Sequence, residues 1–157
     1  MDAQAIIFVL GMHRSGTSVL TRALPVFGVD IGEHHLGRFD NPRGFFEDPS
    51  FVRINEALLA SLHTTWDALN TLSIPSLMQL VETELGRAGE SYLMSLQGSP
   101  FVGRKDPRAT LLFPFWAALA RKLGLSVRTV ISVRHPVSVA ESLLKRDRMA
   151  LEKGVQL

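Results

Sequence analysis

The sequence contains no cysteine, which excludes disulfide bonds and thiolate metal sites and is typical of a reducing compartment. It has no apolar run long enough to span a membrane, and its one early apolar run lacks the basic flank of a signal peptide. An excess of one charge is also missing, since 17 Lys and Arg and 15 Asp and Glu give a formal net charge of +2. That balance disfavours a broad nucleic-acid surface. These absences predict a cytoplasmic protein with no membrane or nucleic-acid partner.

The pattern of apolar residues predicts one α/β domain over residues 1–157. Strand-length apolar runs at 5–10, 101–103 and 127–133 alternate with helical patterns at 17–28, 50–62, 75–96, 108–123 and 137–153. This alternation predicts a three-layer, mostly parallel open sheet with helices on both faces. Residues 29–49 form a long loop, which in a compact domain is often functional.

The segment 11–18 joins the first strand to the first helix through a glycine-bearing turn. A helix that begins in this way presents unpaired N–H groups and the positive end of its dipole to one point, which suits an anion. The two glycines and the final serine match the Walker A spacing, but Thr17 stands where the lysine should be and the basic residue is Arg14. That lysine normally reaches the β- and γ-phosphates of a nucleotide. The segment therefore predicts a site for a phosphate-like group rather than for a magnesium-bound triphosphate.

Polar clusters follow all three predicted strands, at 11–18, 104–108 and 134–136. Ligands of open parallel sheets bind at the carboxyl ends of the strands. We therefore expect Arg14, Lys105 and Arg134 to surround one crevice. Three cations favour a ligand with several anionic groups, such as two separate phosphates.

Two elements of the chain resemble sulfotransferases that use 3′-phosphoadenosine-5′-phosphosulfate (PAPS). The run Arg-Ser-Gly-Thr-Ser at 14–18, placed after a strand, is similar to their 5′-phosphosulfate loop. The run Val-Arg-His-Pro-Val-Ser-Val-Ala-Glu-Ser at 133–142 is similar to their 3′-phosphate element, in which a helical Ser follows a strand-end Arg by eight positions. The resemblance covers residues 6–146. It implies a P-loop NTPase-like fold and transfer of a sulfuryl group from PAPS to an acceptor hydroxyl or amine, with PAP as the product and no metal.

The resemblance also implies a role for each matching residue. Arg14 would contact the 5′-phosphosulfate, and Lys105 would offset the charge on the departing phosphate. Arg134 and Ser142 would bind the 3′-phosphate. The backbone of four loop residues would cradle the 5′ group: Ser15, Gly16, Thr17 and Ser18.

A general base must take the proton of the acceptor, and we expect Glu47 to be that base. Neighbouring aromatic residues would remove water from it and raise its pKa, and the segment 41–48 is similar to one that carries a Glu base in bacterial-type and carbohydrate- or tyrosine-modifying branches. The structural alternative is that Glu47 and Asp48 simply begin the next helix, where acidic residues are favoured. Three histidines are rival bases: His13, His34 and His35.

Two other functions stay open at this point. One is a P-loop kinase or NTPase, against which Thr17 in the lysine position argues. The other is a non-catalytic PAP-binding remnant, because sulfotransferases of this kind usually run well beyond 157 residues and the resemblance implies a short C-terminus. The acceptor would be a small molecule or carbohydrate chosen partly by the loop 29–49, and the oligomeric state is left open. Structural roles are expected for Trp66 and Trp116 in the core and for the charged run 145–148 on a solvated face, although a residue of that run could touch the 3′-phosphate.

Overall fold

The structure is a computed structural model that describes residues 4–33, 44–96 and 98–157. Three strands form one parallel sheet in the order β2-β1-β3, with β1 at Ala5–Leu10, β2 at Phe101–Lys105 and β3 at Ser126–Ile131. Ala5 of the central strand pairs with Phe101 on one side and with Ser126 on the other. Because the strands are parallel, the segments that follow them lie at the same edge of the sheet. The predicted α/β class and parallel sheet are confirmed, with strand ends displaced by one or two residues.

Helices connect and flank these strands. The described α-helices are α1 (Thr17–Ala23), α2 (Pro49–Ser61), α3 (Ile74–Leu80), α4 (Glu84–Ser95), α5 (Ala109–Lys122), α6 (Pro136–Asp147) and α7 (Leu151–Gln156). A 3₁₀ helix at Leu24–Phe27 continues α1, because Pro25 has no N–H with which to extend the α-helical ladder. None of the described helices combines the length and apolar character that crossing a membrane requires. The cytoplasmic location stays a prediction.

The sheet has apolar layers on both faces because alternate residues of β1 point in opposite directions. Ile6 and Phe8 belong to a large core shared with α2, α3, α4 and α5, in which Trp116 is fully buried. Val9 packs on the other face with Leu24 of the 3₁₀ helix. The fold therefore has three layers, and it fixes the carboxyl end of β1 between two helical layers.

Two predicted helices are each interrupted in the structure. The predicted helix 75–96 is two helices, α3 and α4, which pack so closely that a Cβ on Gly86 would lie 1.8 Å from the carbonyl oxygen of Val81. The predicted helix 137–153 ends at Arg148, which has φ +56°. Met149 is then buried against Leu143 before α7 begins. Both predictions were wrong in the same way, because tertiary packing places a turn where the apolar periodicity continues.

Candidate functional site

The loop after β1 has a conformation that requires glycine at two positions. Gly11 has φ +141°, and a Cβ added there would lie 2.6 Å from the carbonyl oxygen of Ser132. Gly16, the residue before α1, has φ +106°. Arg14 has φ +67° although it is not a glycine, and such strained residues cluster at ligand sites. The segment with Walker A spacing is therefore a tight turn, and its strained residue, Arg14, is also the one that carries the positive charge.

Hydrogen bonds tie this loop to the end of β3. The Ser132 hydroxyl donates to the carbonyl oxygen of Ser15 at 2.8 Å, and the Ser15 N–H donates to another loop carbonyl at 3.1 Å. In the part of the chain that the structure describes, no group accepts a hydrogen bond from the N–H of Gly16, Thr17 or Ser18. Three of the four predicted loop residues can therefore offer an N–H to an anion, whereas the N–H of Ser15 closes the turn.

Arg14, Arg134 and Ser142 lie together in the structure. Nε of Arg14 donates to Oγ of Ser142 at 2.8 Å, and Nη1 of Arg134 donates to the carbonyl oxygen of Arg14 at 3.0 Å. These bonds connect the loop to α6 and to the end of β3. Ser142 therefore orients the Arg14 guanidinium, a contact that the sequence did not predict.

Glu47 and Lys105 form a buried ion pair. Nζ of Lys105 lies 2.5 Å from Oε1 of Glu47, and the two residues are 3% and 8% exposed, respectively. The same ammonium donates to the carbonyl oxygen of Phe45 at 3.1 Å and to Oγ of Ser18 at 3.4 Å. Burial raises the pKa of Glu47 above its ordinary value, and Lys105 opposes that rise. The ion pair thus joins the segment before α2 to the first turn of α1.

The structure separates the two acidic residues before α2. The side chain of Asp48 accepts hydrogen bonds from the N–H groups of Ser50 and Phe51, at 2.8 and 3.2 Å, and so caps the helix. Glu47 contacts Lys105 instead. The helix-start explanation therefore applies to Asp48 and not to Glu47.

A cleft of about 400 Å³ lies where the carboxyl ends of the strands meet. Its lining includes the loop residues Gly16, Thr17 and Ser18 together with Glu47, which is the one carboxylate among the described lining residues. Four cationic side chains also line it: Arg14, Lys105, Arg134 and Arg146. This excess of positive charge favours a ligand with more than one anionic group.

Arg146 is a cation of the cleft that the sequence analysis did not single out, because it assigned the run 145–148 to a solvated face and left open only that one of its residues could touch the 3′-phosphate. Nε of Arg146 lies 2.8 Å from the carboxylate of Asp147, and Nη2 lies 2.7 Å from it. Arg146 follows Ser142 by one helical turn of α6, so both residues lie on the same side of that helix. This spacing was the signal that could have identified it.

A buried polar network supports the end of β2. Asp106 is fully buried and accepts hydrogen bonds from Nδ2 of Asn55 at 2.8 Å and from Nη1 of Arg108 at 2.9 Å. Oδ1 of Asn55 accepts one from Nε1 of Trp116 at 2.7 Å. Asp106 is thus a partner of Arg108, and the network fixes the backbone next to Lys105. An asparagine on the apolar face of a predicted helix was the only sequence sign of Asn55.

His13 is a poor candidate for the base. Burial lowers the pKa of His13 to about 3, with further lowering by nearby cations, of which Arg108 and Arg146 have the largest effects. The imidazole packs on Trp66 with ring centroids 4.2 Å apart. Trp66 lies in a turn, so its predicted place in a helix was wrong, but its side chain is partly buried and packs against the core as expected. The other rival bases, His34 and His35, fall outside the described residues.

Comparisons with known proteins leave this site unassigned. No family model, curated protein or solved structure matches the chain. Over residues 4–33, 44–96 and 98–157, no group of three or more His, Asp or Glu side chains is arranged to hold a metal ion.

Proposed function

We propose that this chain has a P-loop NTPase-like fold and transfers a sulfuryl group from PAPS to a hydroxyl or amine. The observation that carries the proposal is the cleft at the strand ends, where three arginines and three loop N–H groups lie around the buried ion pair of Lys105 and Glu47. A nucleotide with a 5′-phosphosulfate and a 3′-phosphate supplies anions at two separated points. The electropositive cleft suits such a ligand.

The residues divide between the two anionic groups of PAPS. The N–H groups of Gly16, Thr17 and Ser18 and the side chain of Arg14 would hold the 5′-phosphosulfate. Arg134 would bind the 3′-phosphate, on the side of the cleft that follows β3. Ser142 would act through its hydrogen bond to Arg14. Arg146 of α6 would add a positive charge to that of Arg134.

The Lys105–Glu47 ion pair provides both charges that the transfer needs. The acceptor oxygen or nitrogen attacks sulfur in line and forms a new S–O or S–N bond. The bond between sulfur and the bridging oxygen of the 5′-phosphate breaks, and its electron pair stays on the phosphate. Glu47 takes the acceptor proton, for which its raised pKa suits it. Lys105 stabilises the departing phosphate. Its 3.4 Å contact with Ser18 is the longest of the three that its ammonium makes and is the one that a phosphate oxygen would replace.

The role of Glu47 is tested by measuring transfer of radiolabelled sulfuryl from PAPS to a panel of small alcohols and amines. Glu47→Gln should bind PAP as the wild type does but transfer about 10²–10⁴-fold more slowly, because an amide cannot accept the proton. Glu84→Gln is the matched control, since it makes the same change on an exposed helix position. Full activity in Glu47→Gln, with a PAPS-dependent wild type, would assign the base elsewhere.

A further inference from the structure

A second cavity, of about 230 Å³, lies beside the cationic cleft. His13 and Pro107 line both spaces and so form the wall between them. We call the second space the apolar cavity, because most of the groups that line it are apolar. They include Met12, Trp66, Leu69 and Leu111.

The lining of the apolar cavity favours an uncharged ligand. Among the described residues that line this cavity, Arg108 carries the charged side chain. The guanidinium of Arg108 is already paired with Asp106 at 2.9 Å and with Glu56 at 3.2 Å. The Thr110 hydroxyl, also in the lining, is occupied by hydrogen bonds with the backbone of Gly11. A charged ligand would lose its hydration here without gaining a counter-charge.

One polar atom in the wall calls for a partner. Nε2 of His13 is buried and has no hydrogen-bond partner among the described residues. Burial and the surrounding cations keep the imidazole neutral, so Nε2 accepts or donates a hydrogen bond according to its tautomer. Buried polar atoms are rarely left unpaired. A hydroxyl group, which can both donate and accept, satisfies this atom in either tautomer.

We propose that the apolar cavity binds the ring of a small, uncharged aromatic or alicyclic alcohol, whose hydroxyl group meets Nε2 of His13 at the boundary with the cleft. The inference rests on the proposed sulfuryl transfer, for which it names the class of acceptor. Sites for drug-sized ligands typically have volumes of about 300–1,000 Å³, so this smaller cavity suits a small ligand. At the wall formed by His13 and Pro107, the alcohol oxygen would face the cleft that Glu47 also lines.

The hydrogen bond to His13 is tested by calorimetric titration of the full chain with naphthol and with its methyl ether, which cannot donate. The wild type should bind naphthol about fivefold to tenfold more tightly than the ether, the effect of one net hydrogen bond. His13→Phe keeps a ring against Trp66 and should bind the two compounds equally. Equal affinities in the wild type, or a preference that persists in His13→Phe, would overturn the proposal.

The location in the apolar cavity is tested with a matched pair of substitutions that does not involve the histidine. Leu111→Ala and Leu144→Ala remove the same groups from helical positions that are 41% and 47% exposed, but only Leu111 lines the cavity. Leu111→Ala should lower the affinity for naphthol and for its methyl ether by about fivefold each, because apolar contact is lost, and the ratio of the two affinities should not change. Leu144→Ala should bind as the wild type does. Equal binding by the two variants would place naphthol elsewhere and contradict the inference.

A PAP titration of the same samples separates this inference from the proposed function. PAP binding without naphthol binding would refute the acceptor site and leave the nucleotide site in place. Naphthol binding with the expected His13 dependence, but without PAP binding, would support the cavity as an alcohol site and refute sulfuryl transfer.

Discussion

Replacing Lys105 by Met is expected to destabilise the fold more than replacing Lys105 and Glu47 together by Met and Gln. The side chains of this ion pair are 2% and 11% exposed. Removing the ammonium leaves a buried carboxylate without its counter-charge, and breaking a buried pair in this way typically costs about 3–5 kcal/mol. Removing both charges leaves no uncompensated ion, so most of that loss should be recovered.

The loss of stability in Lys105→Met has an upper limit, because the unpaired carboxyl group of Glu47 can take up a proton. Its ordinary pKa is 4.5, so protonation at pH 7 costs about 3.4 kcal/mol at about 1.36 kcal/mol per pH unit. We therefore expect the free energy of unfolding of Lys105→Met at pH 7 to be about 3 kcal/mol lower than that of the double variant. In Lys105→Met the pKa of Glu47 is raised in the folded state, so the folded chain binds more protons than the unfolded chain between pH 4.5 and the raised value. Its stability should consequently increase as the pH falls, and the difference should shrink to less than about 1 kcal/mol at pH 5.

Urea unfolding followed by tryptophan fluorescence at several pH values measures this difference, since Trp116 is fully buried in the core. The double variant serves as the control because it shares the lost lysine contacts with Phe45 and Ser18. Equal stabilities of the two variants at pH 7, or a difference that does not change with pH, would refute the buried ion pair.

Three further predictions concern the cleft and its support. Arg134→Ala should lose the preference for PAP over AMP in a calorimetric titration, whereas Arg128→Ala, an exposed change on β3, should keep it; an unchanged preference in Arg134→Ala would move the 3′-phosphate site. Gly11→Ala should lower the free energy of unfolding by about 1–3 kcal/mol and weaken PAP binding, because φ is +141° and a Cβ would lie 2.6 Å from a carbonyl oxygen just after β3; wild-type values in urea unfolding would mean that the turn is not this tight. Asn55→Leu should lower the free energy of unfolding by about 2–4 kcal/mol by leaving Asp106 short of a buried donor; a thermal melt like that of the wild type would show that water replaces the amide.

The sequence was sufficient to predict the strand at 5–10 and the meeting of three cations. The run 5–10 is apolar and bounded by a glycine, and it is the middle strand of the sheet. Arg14, Lys105 and Arg134 follow three different parallel strands, so the expectation that they share a crevice needed only the rule that such strands end at one edge. All three line the same cleft. Their proposed roles in binding PAPS stay predictions.

Other features depended on contacts between distant segments and had weak local signals. The apolar periodicity continues through Gly86, whose missing side chain allows two separate helices to approach. Arg148 carries no turn signal, and its φ of +56° follows from the burial of Met149 against α6. Lys105 and Glu47 are 58 residues apart, so no periodicity links them. The loop that brings Glu47 to the ammonium is positioned by the Asp48 cap and the contacts of Phe45, not by a regular element.

The most direct test of the central claim is a calorimetric titration of the wild-type chain with PAP, with AMP and with ATP plus magnesium. The cleft predicts that PAP binds more tightly than AMP without magnesium, because the added 3′-phosphate gains charge-assisted hydrogen bonds from Arg134 and its neighbours. The preference should weaken at high salt. Binding of ATP that depends on magnesium, with equal affinities for PAP and AMP, would contradict the account and favour a P-loop kinase or NTPase.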